Sequence, residues 1–176
     1  MKAPTPFFSV VVPTWNTGAL VEETVHSLVN QDFPDPQYEI IVVDDGSTDD
    51  TLSYLKPFLD RIRIIRQKNS GAASARNKGI HHARGEYIVC FDHDDILFPY
   101  ALKIYKQAVD AFGYPPVLLA QPTYFSTGKG LDLTSDKASG VDCVRCKDFF
   151  AKTIPTSVLN SVLVLRKDKV LAAGGY

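Results

Sequence analysis

The chain has 176 residues, of which 45% are hydrophobic, and its 19 basic and 20 acidic residues give a formal net charge of −1. This length suffices for one well-buried domain, and so balanced a charge gives no electrostatic reason to expect a nucleic acid as partner. No apolar stretch is long enough to cross a bilayer, and the N-terminus lacks the charged-then-apolar pattern of a signal peptide. We therefore expect a cytoplasmic protein without a transmembrane segment in this chain, with peripheral association at the inner face of the membrane left open.

Strand-like and helix-like segments alternate along the first two thirds of the chain. Runs of β-branched and aromatic residues predict strands at 7–12, 38–43, 61–65 and 87–91. Apolar residues at three- and four-residue spacing predict helices at 19–30, 48–59, 72–83 and 100–112, the second with Ser47 or Thr48 as its N-cap. This alternation predicts an α/β fold that is doubly wound, with a mostly parallel sheet and helices on both faces.

Residues 113–176 give weaker signals. The segment 125–141 is rich in Gly, Ser, Thr and Lys without a period, which indicates a surface excursion, whereas 158–165 predicts a strand and 167–173 a short helix. Cys143 and Cys146 have the CxxC spacing of zinc and redox sites, but no second Cys or His pair lies nearby, so we interpret the spacing as coincidental. We find no linker and no internal repeat, and we predict a single domain over residues 1–176.

Three carboxylates, Asp92, Asp94 and Asp95, directly follow the predicted strand at 87–91. Side by side they repel one another unless a positive charge lies among them. Mg²⁺ and Mn²⁺ prefer carboxylate oxygens and usually share their coordination shell with phosphate. Because open α/β sheets bind ligands at the carboxyl ends of their strands, the cluster predicts a site for Mn²⁺ or Mg²⁺. Asp residues also precede helices without any metal, but that role would not need a cluster of three.

Two other predicted strands also end in residues whose chemistry points to a binding site. These residues are Pro13, Thr14, Trp15 and Asn16 after the first strand, and Asp44 and Asp45 after the second. The Trp15 ring can stack on a nucleobase, Asp45 can accept a hydrogen bond from a base N–H, and Arg76 can add a cation. Each of these residues also has a structural interpretation. The segment 44–47 has the composition of a common turn. Trp15 could cover the edge of the core, and Arg76 could be a solvated surface charge.

These motifs together resemble family 2 glycosyltransferases, the large inverting group with a GT-A fold. The matching text is VVVPTWN at 10–16, IVVDDGSTD at 41–49, NSG at 69–71, ARNKG at 75–79, FDHDD at 91–95 and LAAGGY at 171–176. The resemblance implies nucleotide binding, usually of uridine, by Pro13, Thr14, Trp15, Asn16, Asp44, Asp45, Arg76 and Asp92. It further implies that Asp92 and Asp94 bind the metal and that Asp94 and Asp95 act as catalytic residues near the sugar.

The reaction implied by the resemblance is transfer of a sugar from a nucleotide sugar to an acceptor hydroxyl with inversion at the anomeric carbon. The family supplies the general base from an acidic motif after the Gly-Gly-aromatic segment, so we expect this base beyond Tyr176 and interpret the chain as a donor-binding portion. The acceptor, whether glycan, lipid or protein, stays undefined. Three alternatives remain open: a haloacid-dehalogenase-like phosphotransferase with Asp92 as nucleophile, a sugar-phosphate nucleotidyltransferase, and a non-catalytic nucleotide-sugar-binding module.

Overall fold

The computed structural model describes residues 4–120 and 163–176, in which strands and helices alternate as the sequence predicts. The strands are β1 (Phe8–Thr14), β2 (Tyr38–Asp44), β3 (Ile62–Arg66), β4 (Tyr87–Cys90), β5 (Val117–Leu119) and β6 (Leu163–Arg166). The α-helices are α1 (Leu20–Val29), α2 (Thr51–Leu55), α3 (Ala72–His82), α4 (Ala101–Ala111) and α5 (Lys167–Ala172). The predicted surface excursion at 125–141, the CxxC pair Cys143 and Cys146, and the first part of the strand predicted at 158–165 lie outside the described residues.

The strands of the described residues form one mixed sheet in the order β3-β2-β1-β4-β6-β5. Strand β1 is parallel to β2 and β4, and β2 is parallel to β3, whereas β6 is antiparallel to both β4 and β5. The chain leaves β1 toward β2 and β3 and then crosses to β4 on the other side of β1. The carboxyl ends of β1, β2 and β4 therefore surround the point where the strand order reverses, which is where open α/β sheets bind ligands.

Helices cover both faces of this sheet, because alternate strand residues point to opposite sides. Val10 and Val12 of β1 enter a core formed with α1, α2 and α4, whereas Val11 enters the opposite core with α3 and α5. All three valines are fully buried, and burying each one stabilises the fold by about 1.5–3 kcal/mol. The predicted doubly wound α/β fold is thus confirmed. No helix in the two described ranges is long and apolar enough to span a membrane.

Helix α3 lies directly against β1 because Gly79 has no side chain. A Cβ atom at this position would overlap Cγ1 of Val11 and would lie 3.2 Å from Cγ2 of Val43. Glycine inside a helix is less favourable than alanine by about 1 kcal/mol, so its place here is explained by the close approach rather than by helix propensity. The packing fixes the position of the whole helix relative to the carboxyl ends of the strands.

Helix α2 is shorter than predicted. It begins at Thr51 rather than at Thr48, and its N-cap position is occupied by Asp50, so the prediction of Ser47 or Thr48 as N-cap is wrong. The backbone N–H of Thr48 donates to Oδ1 of Asn16 at 2.8 Å, and Oγ of Ser47 accepts from the N–H of Asn16 at 2.9 Å. These contacts with the loop after β1 hold both residues outside the helix.

Candidate functional site

The carboxyl ends of β1, β2 and β4 open on a cleft of about 490 Å³. Seven residues selected from the sequence line it: Pro13, Thr14, Trp15, Asp45, Arg76, Asp92 and Asp94. The cleft is also lined by Asn69, Gly71, Ala72 and His93, to which the sequence analysis gave no role. Three selected residues, Asn16, Asp44 and Asp95, are not among the lining residues. The three strand ends therefore converge on one cleft, as expected, although not every residue selected from the motifs lines it.

Trp15 stands at the open rim of the cleft and is 53% exposed. A tryptophan that only covered the edge of the core would bury most of its ring, so the exposure disfavours that alternative. The following residue, Asn16, has a φ of 49°, in the left-handed region that Asn tolerates better than most residues. Its contacts with Ser47 and Thr48 tie the loop after β1 to the loop after β2, and thereby set the backbone that carries Trp15.

Asp44 and Asp45 are adjacent in the sequence but have different surroundings. Asp44 is completely buried, and its carboxylate accepts from Nε of Arg66 at 2.8 Å and from the N–H of Ser47 at 3.0 Å. Asp45 is 4% exposed and lines the cleft. Asp44 is the last residue of β2 and Asp45 is the first residue after it, and of the two only Asp45 lines the cleft. The nucleotide-binding role of Asp44 stays a prediction, and its observed contacts are those of a structural ion pair.

The carboxylate of Asp45 holds the loop between β3 and α3. Its Oδ1 accepts from Nε2 of Gln67 at 2.8 Å and from the N–H of Ser70 at 2.9 Å. Its Oδ2 accepts from the N–H of Gly71 at 2.8 Å. On the other side of this loop Gly46 has a φ of 80°, and a Cβ there would lie 2.9 Å from the backbone nitrogen of Asn69. The loop is therefore hydrogen-bonded to the Asp45 side chain and lies close to the Gly46 backbone.

Arg76 is buried and paired, so its interpretation as a solvated surface charge is wrong. The residue is 8% exposed, and its Nη2 donates to Oδ1 of Asp92 at 2.5 Å. Among the described residues its Nε is the buried side-chain polar atom that has no hydrogen-bond partner. Buried charges are stabilised by a partner and by hydrogen bonds, so Asp92 stabilises the guanidinium, while the Nε of Arg76 makes no hydrogen bond.

Two residues that the sequence analysis had not selected hold the other side of Arg76. The Tyr176 ring lies against the guanidinium, whose carbon is 5.1 Å from the ring centroid, a cation–π arrangement. The side chain of Asn77 makes two hydrogen bonds with the backbone of Tyr176. Its Oδ1 accepts from the N–H of Tyr176 at 2.6 Å, and its Nδ2 donates to the carbonyl of Tyr176 at 3.3 Å. A Cβ at Gly175 would lie 2.6 Å from the same Asn77 oxygen. No periodic pattern marks a pair of residues 99 positions apart, which explains why sequence reasoning missed this contact.

The acidic cluster after β4 is divided between the cleft and its margin. Asp92 and Asp94 line the cleft, and Asp94 is exposed. Asp95 is half-buried, and this burial raises the pKa of its carboxyl, with a further contribution from the charges of Asp94 and Asp92. Within the described residues, no group of three or more His, Cys, Asp or Glu side chains is arranged to hold a metal. The two lining carboxylates nevertheless fit Mg²⁺ or Mn²⁺, since these ions take most of their shell from phosphate and water in such sites.

Comparisons with known proteins agree with this geometry. Over 143 residues the chain is 37% identical to the GalNAc(5)-diNAcBac-PP-undecaprenol beta-1,3-glucosyltransferase of Campylobacter jejuni, covering 74% of this chain and 45% of the relative. Over 165 residues it is 27% identical to the poly(ribitol-phosphate) beta-N-acetylglucosaminyltransferase TarS of Staphylococcus aureus, covering 92% of this chain and 29% of TarS. The chain thus spans less than half the length of these two relatives.

The fold agrees as well. A crystal structure of S. aureus TarS 1–349 in complex with UDP-GlcNAc matches with a TM-score of 0.69 and 28% identity, over 95% of this chain and 47% of that one. Residues 9–154 match the sequence model of the family Glycosyl transferase family 2. That range contains all of β1 except Phe8, the strands β2 to β5, and the lining residues of the cleft. The chain therefore belongs to glycosyl transferase family 2, with the GT-A-like fold that the motifs predicted.

Proposed function

We propose that the cleft binds a nucleotide-sugar donor, with UDP as the nucleotide, together with Mn²⁺ or Mg²⁺. The observation that carries this proposal is the convergence of an exposed indole (Trp15), a buried carboxylate (Asp45) and the Arg76–Asp92–Asp94 group in one cleft at the switch point of the sheet. These groups match the chemically different parts of such a donor. The UDP-GlcNAc complex of TarS supports the same ligand class.

The base and ribose would lie between β1 and the loop held by Asp45. The Trp15 ring offers a flat apolar surface on which a base can stack, and Asp45 offers an acceptor for a base N–H. Pro13 and Thr14 would form the floor of this region as the last residues of β1. Asn16 and Asp44 would support the backbone of this region through the contacts described above, and their direct contact with the nucleotide stays a prediction.

The diphosphate would lie at the end of β4. Asp94 would be the main protein ligand of the metal, because Oδ1 of Asp92 is already paired with Arg76. When bound, the ion would stabilise the negative charge that grows on the departing diphosphate. Arg76 adds a fixed positive charge beside it, and the low accessibility of the guanidinium strengthens that effect. Asp95 stays a predicted catalytic residue near the sugar.

The complete enzyme is proposed to transfer the sugar to an acceptor hydroxyl with inversion. Such a reaction requires a carboxylate base that deprotonates the acceptor, and this base stays predicted beyond Tyr176. The two relatives described above are named for a polyol-phosphate polymer and an undecaprenol-linked glycan, which supports a cell-surface polymer or lipid-linked glycan as acceptor. The cytoplasmic location, with peripheral contact at the membrane, stays a prediction.

Family membership overturns two of the alternatives. In the phosphotransferase interpretation Asp92 would be the nucleophile, yet its Oδ1 is engaged by Arg76 and its strand is the fourth of the chain. The nucleotidyltransferase interpretation is likewise replaced by the family assignment. The non-catalytic module differs from the proposed function in one outcome, since it would bind the donor without any transfer in the longer protein.

The proposal is tested by calorimetric titration of UDP in the presence and absence of Mn²⁺. We expect Mn²⁺ to increase the affinity for UDP, and we expect Asp94→Ala to remove this increase. Asp110→Ala is the matched control, because Asp110 is an exposed acid on α4 whose observed partner is Lys106. Retention of the full Mn²⁺ effect in Asp94→Ala would show that Asp94 is not the metal ligand, and the absence of any UDP binding by the unchanged chain would refute the proposal.

A second measurement addresses catalysis. A panel of nucleotide sugars with simple acceptors is incubated with the 176-residue chain, and release of the nucleoside diphosphate is followed. We expect binding without transfer, because the general base is predicted outside this sequence. Turnover by the chain alone would show that the base lies within residues 1–176, and Asp95 would then be the candidate for the general base.

A further inference from the structure

Asp45 has little acceptor capacity left for a ligand. A carboxylate offers roughly four lone-pair positions, two on each oxygen. Its Oδ1 already accepts from Gln67 and Ser70, and its Oδ2 accepts from Gly71. Oδ1 is therefore saturated, and Oδ2 retains one position. Although Asp45 lines the cleft, it can accept only one further donor without losing a bond that it makes in the protein.

The surroundings of Asp45 prevent it from rearranging easily. The residue is 4% exposed, and its own backbone N–H donates to the carbonyl of Thr14 at 2.8 Å. Gln67 is fixed at both ends, since its backbone N–H donates to the carbonyl of Asp44 at 2.9 Å and its Nε2 also donates to Oγ of Ser74 at 3.2 Å. A ligand that needs an acceptor position on each oxygen would have to displace one of the two donors on Oδ1, the Gln67 amide or the backbone N–H of Ser70. Of these two donors, only the Gln67 amide belongs to a side chain.

Nucleobases differ in the number of adjacent donors that they present to a carboxylate. Uracil presents a single ring N–H between two carbonyl groups. Guanine presents a ring N–H beside an amino group, and this pair matches both oxygens of a carboxylate. Hypoxanthine, the base of inosine, has the guanine ring without the amino group and so presents the ring N–H alone. A buried donor that finds no acceptor weakens binding strongly.

We propose that Gln67 is a specificity-determining residue for the base. By donating to Oδ1 of Asp45, the Gln67 amide takes one of the two acceptor positions of that oxygen, and the Ser70 N–H takes the other, so none is left for the guanine amino group. The cleft therefore favours a base that presents one N–H, as uracil does, and selects against guanine. This inference rests on the proposed function, because it takes the base to lie at Asp45.

The test compares the affinities of UDP, GDP and inosine diphosphate in the presence of Mn²⁺, measured by calorimetry. Inosine diphosphate and GDP differ only in the amino group, so their ratio isolates the second donor from the size of the ring. We expect the unchanged chain to bind inosine diphosphate at least about tenfold more tightly than GDP, the penalty for one unpaired buried donor. In Gln67→Ala we expect this ratio to fall to about one or to reverse, because the amino group gains an acceptor.

Ser74→Ala serves as the matched control. It removes the second partner of the Gln67 amide but leaves the bond to Asp45 intact, so the ratio should stay at the value of the unchanged chain. Circular dichroism verifies that each variant is folded. If Gln67→Ala does not fold, the ratio in the unchanged chain still decides, since equal affinities for GDP and inosine diphosphate would overturn the inference.

The outcomes separate this inference from the proposed function. If UDP binds, but Gln67→Ala does not change the ratio of the affinities for inosine diphosphate and GDP, the role of Gln67 is refuted. The proposed function is then unaffected. UDP binding with no measurable binding of either purine nucleotide would also overturn the inference, because ring size rather than donor number would then set the selectivity. Failure of all three nucleotides to bind would refute the proposed function itself.

Discussion

Replacing Gly79 with alanine tests whether the contact between α3 and β1 determines the position of the cleft residues. In a helix that faces open space, this change would stabilise the protein by about 1 kcal/mol through helix propensity. Here the added Cβ would overlap Cγ1 of Val11 and approach Cγ2 of Val43 to 3.2 Å. Overpacking of this kind costs about 1–3 kcal/mol. Because Val11 is fully buried and has little room to move, we expect a cost in the upper part of this range, about 2–3 kcal/mol. After the gain of about 1 kcal/mol in helix propensity, the net destabilisation is about 1–2 kcal/mol.

The free energy of unfolding is measured by urea titration with far-ultraviolet circular dichroism. Val11→Ala is the partner variant, since it removes both Val11 methyl groups near the new Cβ and on its own loses roughly 2 kcal/mol of burial. We expect the double variant to lose less than the sum of the single losses, by about 1 kcal/mol or more. UDP affinity should also fall in Gly79→Ala, because α3 carries Arg76. A stabilised Gly79→Ala, or strict additivity with Val11→Ala, would refute the reasoning.

Two further predictions concern single side chains. Trp15→Ala should weaken UDP binding by about 1–3 kcal/mol if the ring stacks on the base, and Trp15→Phe should keep much of the affinity; an unchanged dissociation constant in Trp15→Ala would show that the ring does not contact the nucleotide. Because Trp15 is the sole tryptophan, its fluorescence should change as UDP is added to the unchanged chain. Burial raises the pKa of the Cys90 thiol to about 12, so Cys90 should stay protonated and resist iodoacetamide at about pH 8 until denaturant is added. Mass spectrometry of the Cys90 peptide measures this, and rapid alkylation of the folded chain would contradict it.

Local features of the sequence identify several elements of the fold and of the cleft. The apolar runs of β1, β2 and β4 identify buried strands, and each ends in polar residues, so the meeting of Trp15, Asp45 and Asp92 at one edge follows from the parallel topology. The same reasoning could not find β5 at Val117–Leu119, because three residues with two exposed side chains give too little periodicity. It also extended α2 to Thr48, since it had no means to see that Asn16 binds the Thr48 backbone.

The finer geometry of the cleft depends on contacts between distant segments. That Asp45 faces the loop with Gln67 and Asp44 faces Arg66 is decided by the register of β2 against β3, which no local pattern records. The burial of Arg76 depends on Asp92 and on Tyr176, 100 residues further along the chain than Arg76 itself. For that reason the sequence alone left the ordinary surface role of Arg76 open, and only the tertiary packing excludes it.

The contacts that hold the Arg76 guanidinium have a consequence for ligand affinity. An arginine side chain carries about 2 kcal/mol of rotamer entropy, which a flexible surface arginine would lose when it first met an anionic ligand. In this protein the ion pair with Asp92 and the Tyr176 ring already restrain the group, so that ordering takes place during folding. In the proposed function, the donor would therefore bind beside a cation that is already in place, and the entropic penalty of association would be smaller.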